Sequence, residues 1–304
     1  MRPDPGGRGR AAEADQPRGV PHTPRDGAVS RVFLNFAILS YIAGGAVGVA
    51  TPVIGCFLVQ RRLSLIGDAV GHLAFAGVAI GIAAGLAPLW GSLAIAVAGA
   101  IALEWLRARG RLAGDLSLAL IFYLALAVGL VVLSARGGLN PSAMGFLFGS
   151  IFTITWLDVL SIALLCLLVV AAVALFYKEL VAVALDEETA HASGLPVDAL
   201  NVLLVVLTAL LVVAGMRVVG LLLIAALLVM PVAAGSRLAH SFRGSMLWAV
   251  AAGLVATLGG LVIALVQGEI APGGTIVVTA AAVFAVATVA GRRAARQHPR
   301  RSAA

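Results

Sequence analysis

The stretch Leu65-Ile66-Gly67-Asp68-Ala69-Val70-Gly71-His72-Leu73-Ala74-Phe75-Ala76-Gly77 is apolar throughout except at Asp68 and His72. The apolar run continues to about residue 86, long enough for a helix that crosses a membrane. On such a helix, residues four apart share a face, so the carboxylate and the imidazole lie one turn apart. An ionisable group inside a bilayer is costly unless it meets a partner, water or an ion, and its presence there is a functional signal. A carboxylate beside an imidazole is a workable donor set for a borderline divalent metal. The pair therefore points to a metal path across a membrane. Two donors do not complete a site, so further ligands would come from another helix, another subunit or water. A plainer arrangement fits the same residues: Asp68 at a helix start, capping it or answering Arg61 and Arg62, with His72 bonded to a carbonyl.

Composition sets the class. Of 304 residues, 61% are hydrophobic and only 12% are charged, where a soluble domain carries roughly 25% charged residues. The apolar stretches are long, unbroken and rich in Leu, Val, Ala and Gly, which excludes the short alternating strands of a membrane barrel. The 35 glycines suit helices that pack closely in lipid. The expected fold is all-α and polytopic. The net charge of +7 is spread over short loops and both tails with no aromatic-interleaved basic face, so nucleic acid is not an expected partner. Cys56 and Cys166 both fall in apolar spans, form no Cys-x-x-Cys pair, and read as small core residues.

Nine apolar spans are expected, at about 32–59, 65–86, 88–106, 115–134, 156–177, 197–216, 218–236, 245–266 and 274–290. A further apolar piece, Ala143 to Thr155, reads as interfacial or re-entrant. Residues 1–31 are rich in Pro, Gly and Arg and are expected to be disordered. Residues 32–291 form the transmembrane domain, and 292–304 a basic C-terminal tail. The run Val32 to Val59 is too long for a signal-peptide core.

With nine spans, Arg61, Arg62, Arg107, Arg109, Arg111, Lys178, Arg237, Arg243, Arg292 and Arg293 share one side, and only Arg136 and Arg217 oppose them among the short loops. The positive excess marks the cytoplasm. The six arginines of the N-terminal tail then lie outside, a conflict that eight spans plus a broken first segment would remove. The count of eight or nine stays open at this point. The chain is expected in the inner (plasma) membrane, in contact with lipid.

Pro52 and Pro231 sit inside spans, where each removes a backbone hydrogen bond. Pro231 is a possible hinge. Glu104 reads as a surface partner of Arg107, and Asp115, Asp158 and Asp198 as helix-start residues. Glu269 reads as a solvated loop acid, and His22, His191, His240 and His298 are assigned no ligand role. The single lysine, Lys178, is followed by Glu179, so there is no phosphate-binding loop and no ATPase of the chain's own. No hydrolase motif is present either, so the chain is expected to be a transporter rather than an enzyme.

The longest polar interruption, Lys178 to Asp198, holds one more readable element. Asp186, Glu187 and Glu188 favour a helix start, and Gly194 with Pro196 a stop. A short helix closed by glycine between two spans is a docking knob or a mere connection.

Several stretches resemble the integral-membrane permeases of zinc/manganese/iron ABC importers. These are Gly55 to Gly81, with Arg61-Arg62-Leu63-Ser64, Gly67-Asp68, His72 and Gly77-Val78-Ala79-Ile80-Gly81; then Leu147-Phe148-Gly149-Ser150; and Phe176 through Gly194 to Pro231 and Arg237. The likeness covers roughly residues 35–290. It implies a type II ABC importer-like permease that pairs with a second copy of itself, with cytoplasmic ATP-binding subunits, and with an extracytoplasmic metal-binding protein. Asp68 and His72 match the family's pore ligands, so two copies would supply two of each. Glu187, Glu188, Ala190, Ala192 and Gly194 match the segment that couples to the ATPase. No permanently bound cofactor is implied; the divalent metal (Zn, Mn or Fe) is the cargo, with zinc the first choice. A siderophore- or cobalamin-type permease and a stand-alone proton-coupled carrier are the alternatives.

Overall fold

The computed structural model describes residues 26–109, 114–138, 141–149, 154–239, 241–267 and 271–297. Among these residues there are twelve α-helices and no strand. In chain order they are α1 (Asp26–Gln60), α2 (Ile66–Ala83), α3 (Pro88–Ala108), α4 (Gly114–Ala135), α5 (Pro141–Phe148) and α6 (Trp156–Leu175), followed by α7 (Tyr177–Leu185), α8 (Glu187–Ala192), α9 (Val197–Met216), α10 (Leu221–Leu238), α11 (Phe242–Gln267) and α12 (Pro272–Gln297). Nine of them are long and apolar enough to cross a membrane. They match the nine expected spans, and α1 runs unbroken through Pro52, so the first span is not the broken segment that an eight-span count requires. Helix also reaches into both expected tails, from Asp26 at one end and to Gln297 at the other. The expected disorder of residues 1–25 and the last residues of the basic tail, 298–304, lie outside the described residues.

Burial sorts the helices into an inner and an outer group. α1, α2 and α9 are largely enclosed, while α3, α4, α6 and α12 leave much of their surface open. On α6 the exposed residues Leu157, Leu160, Leu164, Leu167, Leu168 and Leu175 repeat at helical spacing, as expected for a face turned to lipid or to another apolar chain.

Helix contacts are set by small residues. α2 packs on α3 and α4, α1 on α11, α6 and α10, and α9 on α3, α2 and α6. At the α2–α3 crossing a Cβ added to Gly77 would strike the Gly91 carbonyl and the Ser92 Cα, and one on Gly91 would strike Gly77 and Gly81. At the α1–α11 crossing Gly253 admits the Pro52 ring and the Gly48 carbonyl. In lipid, where the solvent is as apolar as the side chains, this close approach supplies much of the helix attraction. α5, the expected re-entrant piece, is an eight-residue helix. Its end, near Gly149, meets the 218–220 turn between α9 and α10, where Gly220 at φ 95° brings backbone against backbone.

Candidate functional site

Asp68 stands in the first turn of α2 and His72 one turn further in. No side chain caps the helix start, and Arg61 is engaged elsewhere, so the plainer role of Asp68 as a cap or an arginine partner does not hold. Its carboxylate makes no hydrogen bond or ion pair with the described residues. It borders a cavity of about 200 Å³ between α2 and α4, lined by Leu65, Asp68, Ala69, Leu118, Ala119, Phe122 and Tyr123.

His72 is buried, only 6% exposed. Its Nδ1 lies 2.9 Å from the backbone oxygen of Asp68. A carbonyl oxygen only accepts, so Nδ1–H donates, and in this tautomer the lone pair is on Nε2. The imidazole also packs on Phe122, with ring centroids 4.1 Å apart. Phe122 thus lines the cavity beside Asp68 and holds the His72 ring. The part of the plainer reading that gave His72 a carbonyl partner is correct. That bond leaves Nε2 unspent, an arrangement common for imidazoles that ligate metals.

No group of three or more His, Cys, Asp or Glu side chains suited to a metal occurs among the described residues. Among the described residues the Asp68–His72 pair therefore gains no third such side chain. The sequence reading missed Phe122 and Tyr123; their signal is that they are the adjacent aromatics of an otherwise aliphatic span.

The second element is α8. Asp186 caps it, accepting from the Thr189 amide at 3.0 Å and from the Thr189 hydroxyl at 2.6 Å. These bonds hold the Asp186 carboxyl below the usual carboxylate range. Gly194 at φ 80° closes the helix, with the Gly194 and Leu195 amides donating to the His191 and Ala190 carbonyls. Glu187, Glu188, Ala192 and Gly194 are exposed, whereas Ala190 is buried and faces the body of the protein.

Glu187 is tied down as well. The Arg61 guanidinium donates to its Oε2 at 2.9 Å and the Asn201 amide to its Oε1 at 2.9 Å. Arg61 donates a further short bond to the Asn201 side-chain oxygen. Partial burial works against the charge on Glu187, but Asn201 and Arg61 outweigh it and lower its pKa. Asn201 was readable as the one amide inside the span 197–216.

Glu104, Asp158 and Asp198 have structural roles. Glu104 pairs with Arg107 as expected, at 2.8 and 2.6 Å, but it is buried rather than on the surface. Asp158 forms a capping box with Thr155 at the start of α6 and pairs with Arg217. Asp198 opens α9, and His191 is exposed on α8. Pro231 is buried inside α10, one turn along from where the Leu228 carbonyl meets Gly55 of α1. The Asp115 side chain, Glu269, Ser150, His22, His240 and His298 lie outside the described residues.

Nine membrane-length helices among the described residues, a half-buried carboxylate one turn from a buried imidazole, and a capped short helix between two spans define a polytopic membrane transport protein. The sequence profile of the ABC 3 transport family matches residues 33–291, and the chain belongs to that family as a multi-pass membrane permease. It is 30% identical over 244 residues to the manganese transport system membrane protein MntC of Halalkalibacterium halodurans, covering 79% of this chain and 82% of that one. It is 27% identical over 243 residues to the high-affinity zinc uptake system membrane protein ZnuB of Haemophilus influenzae, covering 80% and 93%. Among solved structures, PsaBC from Streptococcus pneumoniae in complex with Fab matches with a TM-score of 0.78 at 27% identity, covering 90% of this chain and 98% of that one. A structure described as an inward-facing conformation of a putative metal-chelate type ABC transporter matches with a TM-score of 0.63 at 20% identity, covering 89% of this chain and 91% of that one, a likeness of fold alone.

Proposed function

We propose that this permease carries a divalent metal ion, zinc or manganese, into the cell on a path lined by Asp68 and His72. The observation that carries the reading is the pair itself: a carboxylate on a cavity with no hydrogen bond or ion pair among the described residues, one turn from an imidazole whose Nδ1 is already bonded, so that Nε2 is left to a ligand. A second copy of the chain supplies the missing donors, giving two Asp and two His. The metal sheds part of its water on entry and rests between carboxylate and imidazole.

Energy comes from separate ATP-binding subunits seated on the exposed face of α8, and an extracytoplasmic binding protein delivers the ion. Closure of those subunits moves α8 and opens the path inward, with Pro231 as a hinge in α10. Donor chemistry alone fits Zn(II), Mn(II) and Fe(II); zinc is the first to test, and the names of the relatives support manganese equally. Membership of an ABC transport family disfavours the stand-alone proton-coupled carrier, and a large chelate would need no inward metal donors.

The test is the metal content of cells lacking the gene, complemented with wild type or with Asp68→Ala. Wild type restores zinc or manganese and Asp68→Ala does not; restoration by Asp68→Ala, at equal membrane abundance, sinks the reading.

A further inference from the structure

Arg61, Glu187 and Asn201 come from three separate elements: the turn between α1 and α2, the first residue of α8, and the second turn of α9. Their three hydrogen bonds form a closed triangle in which both terminal guanidinium nitrogens, both Glu187 oxygens and both ends of the Asn201 amide are engaged. The Arg61 side chain is only 6% exposed, although it carries a full charge. If Arg61 left Glu187, a buried guanidinium would lose its counter-charge, and if it left Asn201, the amide oxygen would lose its donor. The three elements are thus tied to one another through these side chains.

The turn that Arg61 begins is itself stiff. The Arg61 amide donates to Phe57, Leu63 to Leu58 at 2.8 Å, and Ile66 to Leu63 at 3.0 Å, while Arg62 sits at φ 60°. Seven residues after Arg61 comes Asp68, in the first turn of α2. A push on α8 reaches Arg61 through Glu187, crosses a turn with little slack, and arrives at the start of the helix that bears the carboxylate.

We propose that the Arg61–Glu187–Asn201 triangle is the joint that converts movement of α8 into movement of Asp68. Arg61 and Asn201 are positioning residues for transport that touch neither the ion nor the ATP-binding subunit. The proposal rests on the reading of α8 as the ATPase seat and Asp68 as a metal ligand. Within it, Glu187 faces inward to the joint while Glu188 and Ala192 are left to face the partner, a division of labour along one six-residue helix.

The experiment is reconstitution of the permease with its ATP-binding subunits in proteoliposomes, reading metal uptake and ATP hydrolysis in the same vesicles, with radioactive zinc and manganese ions as probes. The variants are Glu187→Gln, conservative at a side chain that is half exposed, and Arg61→Lys, which keeps the charge but cannot hold both partners at once. Each is expected to remain assembled and hydrolyse ATP while moving at least tenfold less metal per ATP. An unchanged ratio of metal to ATP in both variants, whether the two rates are kept or fall together, overturns the joint. Asp68→Ala in the same vesicles separates the two ideas. If it transports normally while Glu187→Gln is uncoupled, the metal-ligand reading fails and the triangle stands only as a link from α8 to the start of α2; the converse outcome fails the joint alone.

Discussion

His72 donates from Nδ1 to the backbone oxygen of Asp68, 2.9 Å away on the preceding turn. One residue thus orients the ring with its main chain and offers its own carboxylate beside it. The carbonyl has two lone pairs, so it can serve the helix and the imidazole together. Replacing His72 with Ala is expected to lower metal uptake about tenfold or more, the scale on which loss of a metal's supporting groups acts. His72→Gln, which places an oxygen near the position of Nε2, is expected to retain more uptake than His72→Ala. Equal losses in both variants would argue that the ring is there to pack on Phe122.

The α2–α3 crossing depends on the missing side chains of Gly77 and Gly91. Gly77→Ala puts a methyl group into the backbone of α3, and overpacking of this kind costs about 1–3 kcal/mol. Gly45→Ala is the control, since nothing lies within 4 Å of its added Cβ. Thermal unfolding in detergent should show a lowered midpoint for Gly77→Ala and an unchanged or raised one for Gly45→Ala.

Arg62 is the only non-glycine residue with positive φ among the described residues. A left-handed conformation costs an L-residue roughly 1–2 kcal/mol, and glycine escapes that cost while losing more freedom on folding. Arg62→Gly should therefore leave stability unchanged or raise it by about 1 kcal/mol, and Arg62→Val should lower it. Denaturation midpoints of the two variants check the sign.

The joint should also have a definite pH response. The folded-state pKa of Glu187 lies below its ordinary value of 4.5, so the stabilisation it brings is fully present above that value and is lost as the pH falls through the lowered one. The stability difference between wild type and Glu187→Gln is expected to be constant from about pH 6 to 8 and to shrink only below about pH 4.5. A difference that changes across neutral pH would mean that another group titrates at the joint.

Much of this architecture is legible in the amino-acid order because lipid is an unforgiving solvent. Each span needs about 20 apolar residues, which is why Val197–Met216 and Trp156–Leu175 stand out before any coordinates. Local chemistry is equally readable: Asp186 and Gly194 bracket α8 as cap and stop. Long-range pairing is not. Arg61 and Glu187 are 126 positions apart, and nothing in the charge pattern selects Glu187 over Asp68 as the arginine's partner; the packing of α8 and α9 against the α1–α2 turn decides it. Burial of Ala190 and Glu104 is hidden for the same reason: Ala190 has exposed neighbours on α8, and Glu104 is a carboxylate next to the exposed Trp105. The donor pair itself was visible, and its completion by a second copy is the part a single chain leaves to be proposed.

The most direct test of the metal path is ATP-driven uptake by the reconstituted complex carrying Asp68→Ala, with assembly and ATP hydrolysis checked in the same preparation. The account predicts that wild-type vesicles accumulate zinc or manganese ions only with ATP, and that the variant hydrolyses ATP yet accumulates neither. Wild-type rates of accumulation in the variant would contradict it.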